Sequence, residues 1–191
     1  MDFSLSKKES FFRDHVRQAI RSLVIPVATK IDRENTFPRP LFEAFGELGY
    51  YGCRYPEALG GMDGDCLSFT ILAEETAFAS VSFAATLTMQ SLMGTDFIYR
   101  YGTDDQKQMF LVPAIQGKKV GTIAFTEPDC GSDLGAVQTR AFADETGYTL
   151  RGRKMWITNG DLADFVTVAA TVNPAQRLNG IAFFLVEKGR P

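Results

Sequence analysis

The spacing of apolar residues changes near residue 118, and this change constrains the fold more than any other feature of the sequence. Before it, apolar side chains recur at helical spacing; after it, β-branched and aromatic residues form short runs separated by Gly, Asn and Asp. Helices followed by strands, without alternation, exclude a parallel doubly wound sheet. The sequence therefore predicts an α+β chain, with a helical domain over 1–118 and a β-domain over 119–191.

Helix signals fill the first part. Ser6 and Glu9 have the spacing of a capping box for a first helix, which Pro26 should kink or end early. Asp65 is in position to cap a third helix. A fourth helix, over about 82–101, is apolar on most sides, which is typical either of a core helix or of a helix that lines an apolar pocket.

Strand signals fill the second part, with turn residues at 145–147 and 151–152. Six strands are predicted, over 120–126, 136–143, 148–151, 154–158, 165–172 and 180–186. The last of these contains the longest apolar run, 181–186, which is far shorter than the roughly 20 residues of a membrane span. We therefore expect no membrane span.

Charge and cysteine content narrow the class of protein. Lys and Arg total 20 against 23 for Asp and Glu, so the net charge of −3 gives no overall attraction to nucleic acid. Cys53, Cys66 and Cys130 are widely spaced and odd in number, which argues against a disulfide framework and for a reducing compartment. The N-terminus is charged before any apolar stretch, so no secretory signal is predicted, and a cytoplasmic location is expected.

Common catalytic signatures are missing. His15 is the only histidine and lies among arginines on the first predicted helix, which is typical of a surface residue. Metal-ligating residues are not clustered, so no metal site is predicted. Neither of the two commonest glycine-rich phosphate loops occurs.

Two segments stand apart from this background. In the first, A-F-T-E-P-D-C-G-S-D over 124–133, a strand enters a turn that can present backbone N–H groups and the Ser132 hydroxyl to a phosphate or carbonyl. In the second, K-M-W-I-T-N-G over 154–160, Trp156 and Thr158 would share one face of a strand and could hold a flat heteroaromatic ring. The alternatives are an ordinary tight turn and a Trp packed against a helix.

In combination, the two segments resemble the acyl-CoA dehydrogenase family. T-E-P-D-C-G-S-D is followed about two dozen residues later by K-M-W-I-T-N-G, and similar blocks occur over 55–61, 102–107 and 180–186. The resemblance implies a helical N-terminal domain and an antiparallel, β-barrel-like or orthogonal β-sheet domain. A C-terminal four-helix domain would follow beyond Pro191.

The same resemblance implies FAD as the cofactor, in a cleft between the β-domain and the C-terminal helices. Trp156 would pack on the flavin with its neighbour Ile157, and Thr158 would hydrogen-bond the N5/O4 edge. Phe125 and Thr126 would contact the pyrimidine side. The implied cofactor residues are Phe125, Thr126, Gly131, Ser132, Trp156, Ile157 and Thr158.

Ser132 would also lie near the pantetheine arm of the thioester substrate, while Gly131 and Asp133 would fix the turn. Met89, Gln90 and Met93 are the implied acyl-pocket residues on the fourth helix.

The reaction implied by the resemblance is α,β-desaturation of an acyl-CoA, with electrons passed to electron-transfer flavoprotein, in a homotetramer. No catalytic base is predicted within these residues, because the family's glutamate belongs to the C-terminal helical domain; Glu127 is expected to be structural. Two alternatives stay open: a non-catalytic or partner-dependent subunit, and a flavin oxidase or monooxygenase on the same fold.

Overall fold

The computed structural model describes residues 4–145 and 147–189, so Thr146 of the predicted turn at 145–147 lies outside the described residues. The chain divides into two compact units, Met1–Lys119 and Val120–Pro191. The first unit is helical and the second contains the sheet, which confirms the predicted order of helices before strands.

The helical unit contains eight α-helical segments within its described residues. These are α1 Lys7–Ala19, α2 Ile25–Glu34, α3 Arg39–Glu47, α4 Cys66–Ala79, α5 Val81–Thr88, α6 Asp96–Tyr101, α7 Asp104–Gln106 and α8 Val112–Ile115. Three π-helical segments, Ile20–Val24, Met89–Met93 and Lys107–Leu111, lie between them. The predicted capping box is confirmed: the Ser6 hydroxyl accepts from Glu9 N, and the Glu9 carboxylate accepts from Ser6 N.

Proline is accommodated by widened helical turns. Pro26 lies at the start of α2, directly after the π-helical segment Ile20–Val24, and Pro113 has the same position in α8. Proline lacks an N–H and its ring clashes with the carbonyl four residues earlier, and a π-turn relieves both constraints. The helical path therefore continues to Glu34 instead of ending early at Pro26.

The core of the helical unit is largely aromatic. Phe42, Phe45, Tyr51 and Phe83 are almost completely buried. The Phe45 and Phe83 rings meet edge to face with centroids 4.8 Å apart, and the Phe42 and Tyr51 rings lie 4.6 Å apart. Such pairs add to the apolar area that the rings bury and stabilise the unit.

The predicted fourth helix over 82–101 is broken in its middle, because α5 gives way to the π-helical segment and α6 begins at Asp96. A buried hydrogen-bond network satisfies the carbonyls at the break. The Tyr55 hydroxyl donates to Ser91 O at 3.0 Å, and the Thr95 hydroxyl donates to Gln90 O at 2.7 Å.

The second unit is a mixed sheet. Its strands are β1 Gly121–Ala124, β2 Arg140–Asp144, β3 Gly147–Arg151, β4 Phe165–Thr171 and β5 Ile181–Glu187. Their order is β1-β4-β2-β3, with β5 also paired to β4. The β4 strand pairs in parallel with β1 and β2, whereas the β4–β5 and β2–β3 pairs are antiparallel.

Two expectations about this sheet need correction. It is not wholly antiparallel, and the strand order among the described residues does not close into a barrel. The parallel β1–β4 pair is possible because residues 125–164 separate the two strands, and a connection of that length can cross over where a hairpin cannot. Those crossover residues carry both motif segments.

Within residues 4–145 and 147–189, no helix combines the length and apolar character needed to cross a membrane.

Candidate cofactor-binding site

The two motif segments lie side by side, joined by hydrogen bonds. Met155 N donates to Thr126 O at 3.0 Å, and Lys154 Nζ donates to Phe125 O at 2.9 Å. The Thr122 hydroxyl, in β1, donates to Thr158 O at 2.6 Å. Each segment therefore fixes the backbone of the other.

A buried ion pair, which we call the Glu127 cluster, joins the segments further. The Glu127 residue is 4% exposed, and its carboxylate accepts from Lys154 Nζ at 2.8 Å, Gln138 N at 2.7 Å and Thr139 N at 2.9 Å. The Thr139 hydroxyl also donates to it. Burial by itself raises the pKa of Glu127, but the donors from Lys154, Thr139 and Gln138 outweigh burial and lower that pKa to about 2.

This environment supports a structural role for Glu127. A carboxyl group with a pKa of about 2 is a weak base, and the donors from Gln138, Thr139 and Lys154 hold the carboxylate in place. The pairing of Lys154 with Glu127 is not predicted from the sequence. The signal for this ion pair is one acidic residue in the first motif and one basic residue in the second.

The low pKa of Glu127 predicts a loss of stability in acid. The group has a lower pKa in the folded chain than its ordinary 4.5, so its contribution is present above pH 4.5 and is lost as pH falls toward 2. We expect the unfolding free energies of the wild type and Glu127→Gln to converge by roughly 2–3 kcal/mol between pH 6 and pH 2, measured by urea denaturation. A constant difference would contradict this.

The Trp156 segment is not a strand, which corrects the prediction for residues 154–158. Trp156 and Asn159 have left-handed backbone angles, φ 59° and 64°, and Gly160 N closes a turn by donating to Ile157 O at 2.9 Å. Side chains in this segment do not alternate as they do in a strand, so strand alternation does not place Trp156 and Thr158 on one face. A left-handed bulky residue is an outlier, and outliers of this kind concentrate at functional sites.

The Trp156 side chain is presented to the surface. It is 81% exposed, although its backbone neighbours are fixed by the hydrogen bonds to Thr126 and Thr122. Thr158 is also exposed, and Ile157 is half-buried. A large aromatic ring displayed on a fixed loop provides a flat surface for a planar ligand.

The turn of the first motif is built from local contacts. Glu127 N donates to Cys130 O at 2.8 Å, and the buried Cys130 thiol donates to Asp133 O at 3.1 Å. Burial raises the pKa of that thiol. Both Asp133 carboxylate oxygens accept from Arg177 Nη2 at 2.8 Å. Ser132 is exposed within this turn.

Gly131 and Asp133 differ in what they contribute to the turn. Asp133 accepts from Arg177 through both carboxylate oxygens, and its turn-fixing role stays a prediction. A Cβ on Gly131 would meet no atom within 4 Å, and its φ is not in the left-handed region. Contacts among the described residues therefore give no reason for a glycine at 131.

These residues fit a flavin. Phe125 is half-buried and stacks on Phe183 with centroids 5.4 Å apart. Thr126 is half-buried, and Ser132 and Thr158 are exposed. Within residues 4–145 and 147–189, the hydroxyls of Ser132 and Thr158 make no hydrogen bond, so both can serve a ligand. Flat aromatic surfaces and a few polar groups are what such a cofactor requires.

The predicted acyl-pocket residues lie in the π-helical segment Met89–Met93 of the helical unit. Gln90 is completely buried, and its Nε2 donates to Ala114 O at 2.9 Å and Lys119 O at 2.8 Å, so its amide is committed to the unit's own backbone. Met89 is half-buried and Met93 is 44% exposed. π-Helical turns occur often at functional sites, and the substrate role of the two methionines stays a prediction.

Each of the two units matches a family model. Residues 6–118 match the family model described as acyl-CoA dehydrogenase, N-terminal domain, and residues 122–191 match the acyl-CoA dehydrogenase middle domain. The chain belongs to the acyl-CoA dehydrogenase family.

Three similar proteins match this chain over its full length. Benzylmalonyl-CoA dehydrogenase from Aromatoleum aromaticum is 38% identical over 100% of this chain and 50% of its own length. The structure of butyryl-CoA dehydrogenase from Megasphaera elsdenii is 33% identical, with a TM-score of 0.93 over 100% of this chain and 51% of that one. An FAD complex of PigA is 27% identical, with a TM-score of 0.93, over 100% of this chain and 50% of that one. The chain thus spans about half the length of these relatives.

Proposed function

We propose that this chain supplies cofactor and substrate contacts for FAD-dependent α,β-desaturation of an acyl-CoA thioester. The observation that carries the proposal is the exposed Trp156 ring, held in a left-handed backbone on a segment hydrogen-bonded to the first motif. Family membership and relatives named as acyl-CoA dehydrogenases support it.

The cofactor assignment rests on the same surface. One solved relative is an FAD complex, and the residues here fit a flavin. FAD, when bound, supplies the acceptor for the hydride that leaves the substrate β-carbon. The chain would hold it through Phe125, Thr126, Gly131, Ser132, Trp156, Ile157 and Thr158.

The chain's own residues would bind the flavin and orient it. The Trp156 ring provides a stacking surface, and the exposed hydroxyls of Thr158 and Ser132 provide donors whose backbone is already fixed. Pre-aligned donors stabilise developing negative charge without reorganising. Removing one such hydroxyl would cost about 1–3 kcal/mol of binding where its partner stays buried.

The proton-abstracting base is assigned to none of the described residues. The buried, ionised Glu127 carboxylate is held by four donors and lacks the pKa that a general base requires. Met89 and Met93 would provide apolar contacts to the acyl chain, which helps keep water away from the reacting carbons.

We further propose an electron acceptor, an oligomeric state and a compartment for the protein. The resemblance supports transfer of electrons to electron-transfer flavoprotein and assembly as a homotetramer. The odd number of widely spaced cysteines favours a reducing compartment, and we propose the cytoplasm.

The test uses the full polypeptide that carries this sequence, reconstituted with FAD. We expect anaerobic butyryl-CoA, the substrate named for one relative, or a longer acyl-CoA to bleach the flavin absorbance. Loss of flavin colour without peroxide on readmitting air supports the dehydrogenase. Rapid peroxide release would indicate an oxidase, and no bleaching with any acyl-CoA would indicate a non-catalytic subunit.

A further inference from the structure

The loop before β5 contains a strained arginine that contacts the first motif. Arg177 lies in the irregular segment Pro174–Gly180, with φ 49° and ψ −123°. Its Nη2 donates to both carboxylate oxygens of Asp133 at 2.8 Å. Asp133 directly follows Ser132, a proposed cofactor and substrate contact.

We propose that Arg177 is a positioning residue for the proposed flavin site, because it holds the turn that presents Ser132. The inference rests on the proposed function and adds a residue that lies far from both motifs in sequence. Arg177 itself need not touch cofactor or substrate. It acts through Asp133.

Two further observations indicate that the Arg177–Asp133 ion pair is a fixed feature of the fold. A non-glycine residue in this part of backbone space persists only where its surroundings hold it, and the ion pair with Asp133 holds the Arg177 side chain. Gly135 lies against the same pair: a Cβ there would be 3.1 Å from Arg177 Nη2 and 3.2 Å from Asp133 Oδ1.

Two contacts at Asp133 hold the turn that contains Ser132. The Cys130 thiol donates to Asp133 O, which closes the chain around Ser132, and the Asp133 carboxylate accepts from Arg177. Without Arg177, the Asp133 side chain loses its ion-pair partner, and the turn is free to sample other conformations.

The exposure of the Arg177 and Asp133 side chains sets the expected effect of Arg177→Gln on FAD affinity. The Arg177 and Asp133 side chains are 64% and 61% exposed, and an exposed ion pair contributes modestly even with good geometry. We therefore expect Arg177→Gln to raise the FAD dissociation constant about five-fold. Arg177→Lys keeps the charge and should recover part of the affinity, although it cannot reproduce the guanidinium geometry.

The experiment uses the full polypeptide that carries this sequence. FAD binding to the apoprotein is titrated by flavin fluorescence, and amide hydrogen exchange over residues 130–136 is followed without FAD. Arg177→Gln should weaken binding and speed exchange there, while exchange over β4 stays unchanged. Gly135→Ala, which crowds the pair without removing a charge, should shift both readouts in the same direction. Lys188→Gln, an exposed cation of the same unit, is the matched control and should shift neither.

Unchanged FAD affinity and unchanged exchange over 130–136 in Arg177→Gln would overturn the positioning role. Faster exchange over the whole sheet, without recovery in Arg177→Lys, would also overturn it, because the residue would then be a general stabiliser. If the wild type itself does not bind FAD, the proposed function fails; the exchange readout still tests whether Arg177 holds the turn.

Discussion

Replacing Lys154 with methionine is expected to lower the free energy of unfolding by about 3–5 kcal/mol. Methionine fills a similar volume but leaves the 4%-exposed Glu127 without its ion-pair partner, and removing one member of a buried pair leaves an uncompensated charge. Phe125 O also loses a donor. Urea denaturation of the full polypeptide followed by circular dichroism measures the loss.

The double variant separates charge from packing. Glu127→Gln combined with Lys154→Met removes both charges, so we expect it to be more stable than Lys154→Met alone. Lys188→Met, which removes an exposed cation of the same unit, should change stability by less than about 0.5 kcal/mol. A loss below about 1 kcal/mol in Lys154→Met would show that the Glu127 cluster does not hold the motifs together.

The second large effect is expected on cofactor binding. Trp156→Ala should raise the FAD dissociation constant about 5- to 150-fold, because stacking of a flat heteroaromatic ring on an aromatic side chain contributes roughly 1–3 kcal/mol. The free energy of unfolding of the apoprotein should stay within about 0.5 kcal/mol of wild type, because the side chain is 81% exposed. Titration by flavin fluorescence and urea denaturation measure the two quantities.

Trp156→Phe is the matched variant. It keeps a ring of smaller area, so its affinity should lie between those of wild type and Trp156→Ala. Equal FAD affinity in all three proteins would place the flavin elsewhere. A large loss of stability in Trp156→Ala would assign the ring to the apoprotein core, against its exposure.

Local signals in the sequence predicted much of the helical unit. The caps at Ser6 and Asp65 depend on residues three positions apart, so they are visible without tertiary information, and both are confirmed. The break at Met89–Met93 was not predicted, because one of its carbonyls, Ser91 O, is satisfied by Tyr55, a residue that no local pattern connects to it.

In the second unit, the motifs were visible but their geometry was not. The run from Lys154 to Thr158 has strand composition, yet Trp156 adopts a left-handed conformation among tertiary hydrogen bonds from Thr122 and to Thr126. The sequence pattern also does not show whether two strands pair in parallel or antiparallel, because side chains alternate with period two in both kinds of pair.

We propose that the two joined motifs form one face of an FAD site, with Trp156 on it. The most direct measurement is the tryptophan emission of the full polypeptide during FAD titration, taken as the difference between wild type and Trp156→Phe to isolate this indole. We expect strong, saturable quenching of that difference signal at one FAD per chain. Saturable FAD binding that leaves the Trp156 emission unchanged would contradict it.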